Sequence, residues 1–324
     1  MRLKYFLALS ALSALGTFAA SAAEQPVIGL ITKTEINPFF VKMKEGAQQA
    51  AQAGGAKLLT GAGKSDGDNA GQVTAIENMI AAGAKTILIT PSDAKAIVPS
   101  IKKARDKGVM VIAMDSPTEP MSAADALFST DNHKAGVLIG RYAKASFGGK
   151  PAVIAALDLF PGHPVGIQRL AGFLEGFGIK KGDASIACMQ DSYGDQAKGQ
   201  TAMENCLQKN PAINLVYAIN EPAAAGAYKA LKAAGKEKNV LIVSVDGGCT
   251  GVRDVKSGKI GATAQQYPLK MATLGVEAGL NYAKTGKKAS GYTDTGVTLI
   301  TDKPLAGVDS KDTTAGLDAC WGKK

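Results

Sequence analysis

From Val27 onward the chain repeats one pattern: a short run of consecutive apolar residues, a turn, then a longer segment whose apolar positions recur every three to four residues. Val27–Thr32, 57–60, 86–90 and Met110–Met114 are runs of the first kind. Runs without polar alternation suit strands buried on both faces of a parallel sheet. Segments 38–54, about 70–82, and 92–107 are of the second kind, and their spacing predicts amphipathic helices. Gly54 and Gly108 close the first and last of these, as glycine commonly does. The order resumes after Asp131, with strands predicted at 152–157, 185–189, Leu215–Ala218 and 240–245 and helical segments between them. Strands alternating with helices predict βαβ units, so the fold class is α/β.

Two stretches read as copies of one unit. Thr86-Ile-Leu-Ile-Thr90 leads through a helix to Val111-Ile-Ala-Met-Asp115, and Leu215-Val-Tyr-Ala-Ile219 leads through a helix to Ile242-Val-Ser-Val-Asp246. Each copy closes on an aspartate. The duplication predicts two similar doubly wound parallel-sheet lobes rather than one large sheet. Open sheets of this kind bind ligands beyond the carboxyl ends of their strands. Asp115 and Asp246 stand at such ends, as do 32–37, 90–93 and Asn220 with Glu221. Two lobes facing each other across those ends would enclose one polar cleft.

The N-terminus departs from the pattern. Met1-Arg2-Leu3-Lys4 is basic, 5–23 is uncharged and rich in Leu, Ala and Phe, and Ala20-Ser21-Ala22-Ala23 is small. That sequence of properties predicts a secretory signal covering 1–23, cut before Glu24. An uncleaved anchor would need a similar length, but the many small residues at its exit favour cleavage. No cysteine lies near the cut, so no lipid attachment is expected. The formal net charge is +9, yet the lysines scatter along helix faces and no basic cluster is interleaved with aromatics. This is a solvated surface, and no nucleic-acid partner is expected. Cys188, Cys206, Cys249 and Cys320 form an even set without a C-x-x-C spacing, as two disulfides of an exported protein would. More than one pairing is open; the favoured one joins Cys188 to Cys206, strand to next helix, and Cys249 to Cys320, stapling the tail.

Asn37-Pro38-Phe39-Phe40 follows the first strand. Asn at the N-cap with Pro in the next position is an ordinary helix start. Beside a binding edge, however, Phe39 and Phe40 also offer flat apolar faces to a ligand ring, although either is equally at home in a core. Asp115 and Asp246 could be loop caps, but their repetition at equivalent places favours a shared role. A carboxylate accepts several hydrogen bonds and strengthens each by its charge. Asn220 and Gln266 add paired donors and acceptors, with a simple turn as the rival for Gln265-Gln266-Tyr267-Pro268. Gly61-Ala62-Gly63-Lys64-Ser65 imitates the end of a phosphate loop, but Leu58 replaces the required first glycine and Asp66-Gly67-Asp68 follows where a helix should. It reads as a plain loop. His133 and His163 are the only histidines, too isolated for a metal site, and no nucleophile or dinucleotide motif is present. No cofactor, no metal and no catalysis are expected.

These segments resemble the ribose-binding-like periplasmic sugar receptors, and among them the fructose-binding proteins of ABC importers. The carrying residues are Leu30 through Gly46 (LITKTEINPFFVKMKEG), Ile219 through Tyr228 (INEPAAAGAY), Ser244-Val-Asp-Gly-Gly-Cys249, Gly261 through Pro268 (GATAQQYP) and the tail Cys320-Trp-Gly322. Asn-Pro-Phe-Phe is common to the superfamily; Asp-Gly-Gly-Cys with Cys-Trp-Gly is narrower. The resemblance implies that Asn37, Phe39, Phe40 and Asp115 contact a monosaccharide, with fructose the expected one, from one lobe, with Asn220, Asp246 and Gln266 contributing from the other lobe and the hinge. It implies a periplasmic monomer that delivers its sugar to permease subunits. It also implies three crossings between lobes, near 128–131, 264–267 and 293–297. The lobes would then comprise 24–128 with 267–293, and 129–266 with 294–324. The sequence departs from ribose receptors at Ser116, where they carry Arg after the first aspartate, and at Ile167, where they carry a sugar-binding Arg. His163, Gln168 and Arg169 are the candidate substitutes. A regulator's effector domain would need a DNA-binding N-terminus in place of the signal; a receptor for another sugar, polyol or signal molecule, feeding chemotaxis or signalling, is the alternative within the same fold.

Exported protein is therefore expected to begin at Ala23 or Glu24 and to contain no free thiol. Intact-mass measurement with and without an alkylating reagent, under denaturing conditions and before any reduction, checks both. Retention of 1–23, or uptake of the reagent, would refute the corresponding half.

Overall fold

The computed structural model describes residues 25–322; the predicted signal at 1–23 lies outside the described residues. Among the described residues, twelve strands form two six-stranded sheets. The first contains β1 (Val27–Thr32), β2 (Lys57–Ala62), β3 (Thr86–Ile89), β4 (Met110–Met114), β5 (Ala126–Ser129) and β11 (Gly291–Asp294), in the order β11-β5-β4-β3-β1-β2. The second contains β6 (Ile154–Asp158), β7 (Ile186–Asp191), β8 (Leu215–Ala218), β9 (Leu241–Asp246), β10 (Ala262–Gln265) and β12 (Thr298–Ile300), in the order β12-β10-β9-β8-β6-β7. Every pairing is parallel except β10 with β12. The continuous apolar runs are the reason: Ile28, Leu30, Ile87, Leu88, Val111 and Ile112 are all buried, as are Val216, Tyr217, Ile242 and Val243 in the second sheet. Strands covered on both faces cannot afford polar alternation.

The chain passes from the first sheet to the second after β5, entering α4 (Asn132–Phe147), which packs on β9 and β10. It returns after β10 through α9 (Pro268–Thr285), which packs on α1 (Pro38–Ala53) and β4. It crosses again between β11 and β12.

One close helix pair fixes the second sheet's ligand-facing side. α4 lies against α5 (Pro164–Phe177) through reciprocal glycines. A methyl group at Gly136 or Gly140 would sit 2.1 Å from the Arg169 carbonyl oxygen or 2.3 Å from that of Phe173. At Gly172 or Gly176 it would meet the carbonyl oxygens of His133 at 2.0 Å and Val137 at 2.3 Å. The two backbones touch, so the position of Arg169 on α5 is set by main chain rather than by adjustable side chains.

Two local expectations need correction. The helix predicted over 92–107 begins only at Val98, as α3 (Val98–Asp106). Asp93 accepts the N–H groups of Lys95 and Ala96, each at 2.9 Å, and this local turn competes with the helix. In the phosphate-loop imitation, Gly61 and Ala62 belong to β2, so the loop starts at Gly63. The disulfides are Cys188–Cys206 and Cys249–Cys320, and the structure shows no free cysteine among the described residues. The second ties the tail to α8 (Cys249–Lys256) and seats Trp321 against Phe39, ring centroids 5.5 Å apart and edge to face.

Gly172→Ala is expected to force α4 and α5 apart and destabilise the protein by about 1 to 3 kcal/mol, the range for overpacking. Alanine at Gly182, a surface glycine with open space around it, controls for glycine replacement as such, although its positive φ carries a small cost of its own. Urea unfolding of both variants checks this; equal midpoints would show that the contact is not tight.

Candidate functional site

Between the sheets lies a narrow cleft lined by polar and aromatic side chains from both. Asn37, Phe39, Phe40, Asp115, Asn220, Asp246 and Gln266 all line it. So do Lys33, Asp66 and Arg169, of which only Arg169 is a sequence candidate. Residues 90–93, also at a strand end, are not part of the lining.

The first wall begins at the start of α1. Asn37 Oδ1 accepts the Phe39 N–H at 3.0 Å, so Asn37 is the N-cap as well as a lining residue. Phe39 and Phe40 meet edge to face at 5.5 Å, and both are buried. They belong to the core and to the cleft wall at once. Asp115 follows β4 directly. Its backbone has φ 61°, in the left-handed region that non-glycine residues rarely occupy, and Ser116 Oγ donates to its Oδ2 at 3.1 Å.

The second wall is built around Asp246, the last residue of β9, whose φ is 138°. Both copies of the repeated unit thus end on an aspartate in a strained backbone, the kind of outlier that clusters at working sites. Gln266 Nε2 donates to Asp246 Oδ1 at 2.9 Å, and the Glu221 N–H donates to Oδ2 at 3.2 Å. Gln266 Oε1 is buried with no donor in the protein, which leaves an acceptor for a ligand. Asn220 caps α7 (Glu221–Ala233) by accepting the Ala223 N–H at 3.0 Å, and its amide donates to the Gly194 carbonyl at 3.0 Å.

Of the three substitutes for the absent arginine, Arg169 reaches the cleft. It is buried and donates to Asn132 Oδ1 at 2.8 Å and to the Ile219 carbonyl at 3.0 Å. His163 caps α5 through Nδ1, which accepts the Val165 N–H at 3.2 Å. Gln168 is exposed and does not line the cleft.

Four ionisable groups in and around the cleft are shifted toward their neutral forms. Burial is the main cause in each case. It pushes the Asp246 carboxyl up to about 7, against the pull of Arg169. It pushes Glu221 well above the carboxylate range, with Asp246 adding to the effect. It lowers Lys33, against the attraction of Asp115 and Asp66. It lowers His163 to about 2, with Lys33 and Arg169 reinforcing it. A neutral His163 whose Nδ1 accepts from Val165 carries its proton on Nε2. Lys33 Nζ lies 3.0 Å from that Nε2 and can accept its proton only as the uncharged amine, the form burial favours. This contact joins the two walls.

Lys33 gives no sign in the sequence, because a lysine between two threonines reads as solvated. Asp66 could have been found by applying the strand-end argument to β2 as it was applied to β1 and β4.

Among the described residues no helix is long and apolar enough to cross a membrane, and no group of His, Cys, Asp and Glu could hold a metal ion. Residues 28–288 match the family model of the periplasmic binding protein domain. The ribose import binding protein of Bacillus subtilis is 32% identical over 78% of this chain and 79% of its own. That of Haemophilus influenzae is 34% identical over 85% of this chain and 91% of its own. Among solved structures, an ABC transporter periplasmic solute binding protein from Actinobacillus succinogenes, with bound D-allose, superposes with a TM-score of 0.78 at 28% identity, covering 86% of this chain and 98% of that one. The chain belongs to the periplasmic binding protein family, whose members bind substrates and are not enzymes.

Proposed function

We propose that this periplasmic sugar-binding protein of an ABC importer captures fructose in the cleft and delivers it to the permease. The observation that carries the reading is the convergence of Asn37, Phe39, Phe40 and Asp115 from one sheet with Asn220, Asp246 and Gln266 from the other on a single cleft. Each kind of group suits a sugar. Carboxylates and amides take hydroxyls, and aromatic faces take the C–H side of the ring. Fructose is favoured over ribose by the narrower sequence segments, Asp-Gly-Gly-Cys and Cys-Trp-Gly, and by Ser116 at a place where ribose receptors carry arginine. Ile167 does not bear on the choice, since it is 58% exposed and stands outside the cleft that Arg169 of the same helix lines.

The lobes, 24–128 with 267–293 and 129–266 with 294–324, would close around the sugar as two bodies acting as a monomer. A ligand shifts such an equilibrium only through its differential affinity for the two states. A sugar touching both walls has that difference, because half of its contacts exist only when the walls meet. Hinge closure is the established motion of periplasmic binding proteins as a class. The permease would then recognise the closed form, and no chemistry occurs on the sugar.

Asp115→Ala and Asp246→Ala should each remove hydrogen bonds to a charged group, about 1.5 to 3 kcal/mol, and weaken binding about tenfold or more in calorimetry. A folded mutant with full affinity would make that aspartate structural. Small-angle X-ray scattering should show a smaller radius of gyration with fructose than without, and calorimetry one site per chain. Heat and compaction with another sugar but not with fructose would overturn the ligand while leaving the fold.

A further inference from the structure

We propose that Asp66 is a ligand-reading residue of the first lobe, whose Oδ1 accepts a hydrogen bond from one hydroxyl of the bound sugar and selects for sugars that carry it. The inference rests on the sugar-binding reading above and adds a contact to it.

Asp66 stands in the loop that follows β2, and that loop is pinned. At Gly63 it runs so close to β1 that a methyl group would lie 2.9 Å from the Lys33 carbonyl oxygen. Asp68 holds the rest, taking the Lys64 N–H at 2.9 Å and the Gly71 N–H at 3.0 Å as the N-cap of α2 (Asn69–Ala81). Since Asp68 does the capping, Asp66 has no structural bond to make. Its Oδ1 is buried without any donor in the protein, although the side chain lines the cleft. A buried acceptor left unpaired carries the full penalty of losing its water, and more when charged. Folded proteins keep few such atoms, and each calls for a reason. A hydroxyl arriving in the cleft supplies one.

The surroundings fit an uncharged donor rather than a cation. Burial pushes the Asp66 carboxyl up; Lys33 and Lys198 pull it down, and Asp115 and Asp195 push it further up. With carboxylates and amines already balanced around it, the missing partner is a neutral hydrogen-bond donor. The place also matters for closure. A methyl group at Gly194, on the opposite lobe, would lie 3.4 Å from Asp66 Oδ2 and 2.9 Å from Asn220 Nδ2. A hydroxyl held by Asp66 is therefore held where the second lobe arrives.

The test is calorimetry on the mature chain with D-fructose, D-ribose and D-allose, comparing wild type with Asp66→Asn, then repeating both with the monodeoxy analogues of the sugar that binds. Asp66→Asn is expected to weaken that sugar about tenfold or more while the ligand-free melting temperature stays level or rises. One monodeoxy analogue should bind wild type weakly and lose nothing further in the variant, the signature of a shared interaction in a double-mutant cycle. Wild-type affinity in the variant overturns the proposal, as does an equal loss for every analogue. A variant that no longer melts cooperatively without sugar overturns it too, by making Asp66 a structural residue. If wild type binds none of the three sugars, the sugar reading fails and takes this inference with it; if wild type binds and the variant matches it, only the role of Asp66 fails.

Discussion

The Glu221 carboxyl group is taken largely out of water and given three donors in return: the N–H groups of Gly247 at 2.8 Å and Gly248 at 3.1 Å, and the Thr263 hydroxyl at 2.9 Å. The geometry of the second wall depends on this knot. It joins the start of α7 to the turn after β9 and to β10, three segments far apart in the chain. The same residue's backbone N–H holds Asp246, and the Asp246 carbonyl in turn accepts the Gln266 N–H at 2.8 Å. Packing leaves the carboxyl group no room to move, since a methyl group at Gly251 would lie 1.8 Å from it. The unfavourable backbone of Asp246 persists because Gly247 and Gly248, which follow it, are bonded to one fixed acceptor, while its own carboxyl and carbonyl oxygens are held by Glu221 and Gln266.

A second constraint acts on charge. Asp246 lies beside Glu221, and Lys33 beside His163, in poorly hydrated surroundings, and full ionisation of all four would be expensive. Their shifts run in the direction that relieves this, acids up and bases down. What remains is a site dense in hydrogen-bonding groups, which suits a ligand with many hydroxyls.

Much of this was legible in the sequence, and the part that was not has a physical cause. The central strands are readable because they lie between two covering layers, so most positions along them are apolar and buried. The two aspartates are readable because the lobes repeat, and the repetition separates them from ordinary caps. Phe39 and Phe40 are readable as aromatics but not as wall or core, since they serve as both. The start of α3 is misplaced because Asp93 offers the backbone an alternative turn. Lys33 is hidden for a deeper reason: its amine meets His163, 130 residues away, at the start of a helix packed on the other sheet. No local pattern encodes such a meeting. Asp66 is hidden by its company, a glycine-rich loop that invites comparison with a motif it does not complete.

The tail has one further consequence. Trp321 is the only tryptophan of the chain. The Cys249–Cys320 bridge holds it with its ring edge to face on Phe39, and its indole N–H donates to the Gln266 carbonyl at 3.0 Å. Phe39 lies on one wall of the cleft and Gln266 on the other, so the indole touches both walls. The protein therefore carries its own optical gauge: tryptophan fluorescence comes from a single, known place, and a rearrangement of either wall changes the surroundings of the ring that emits.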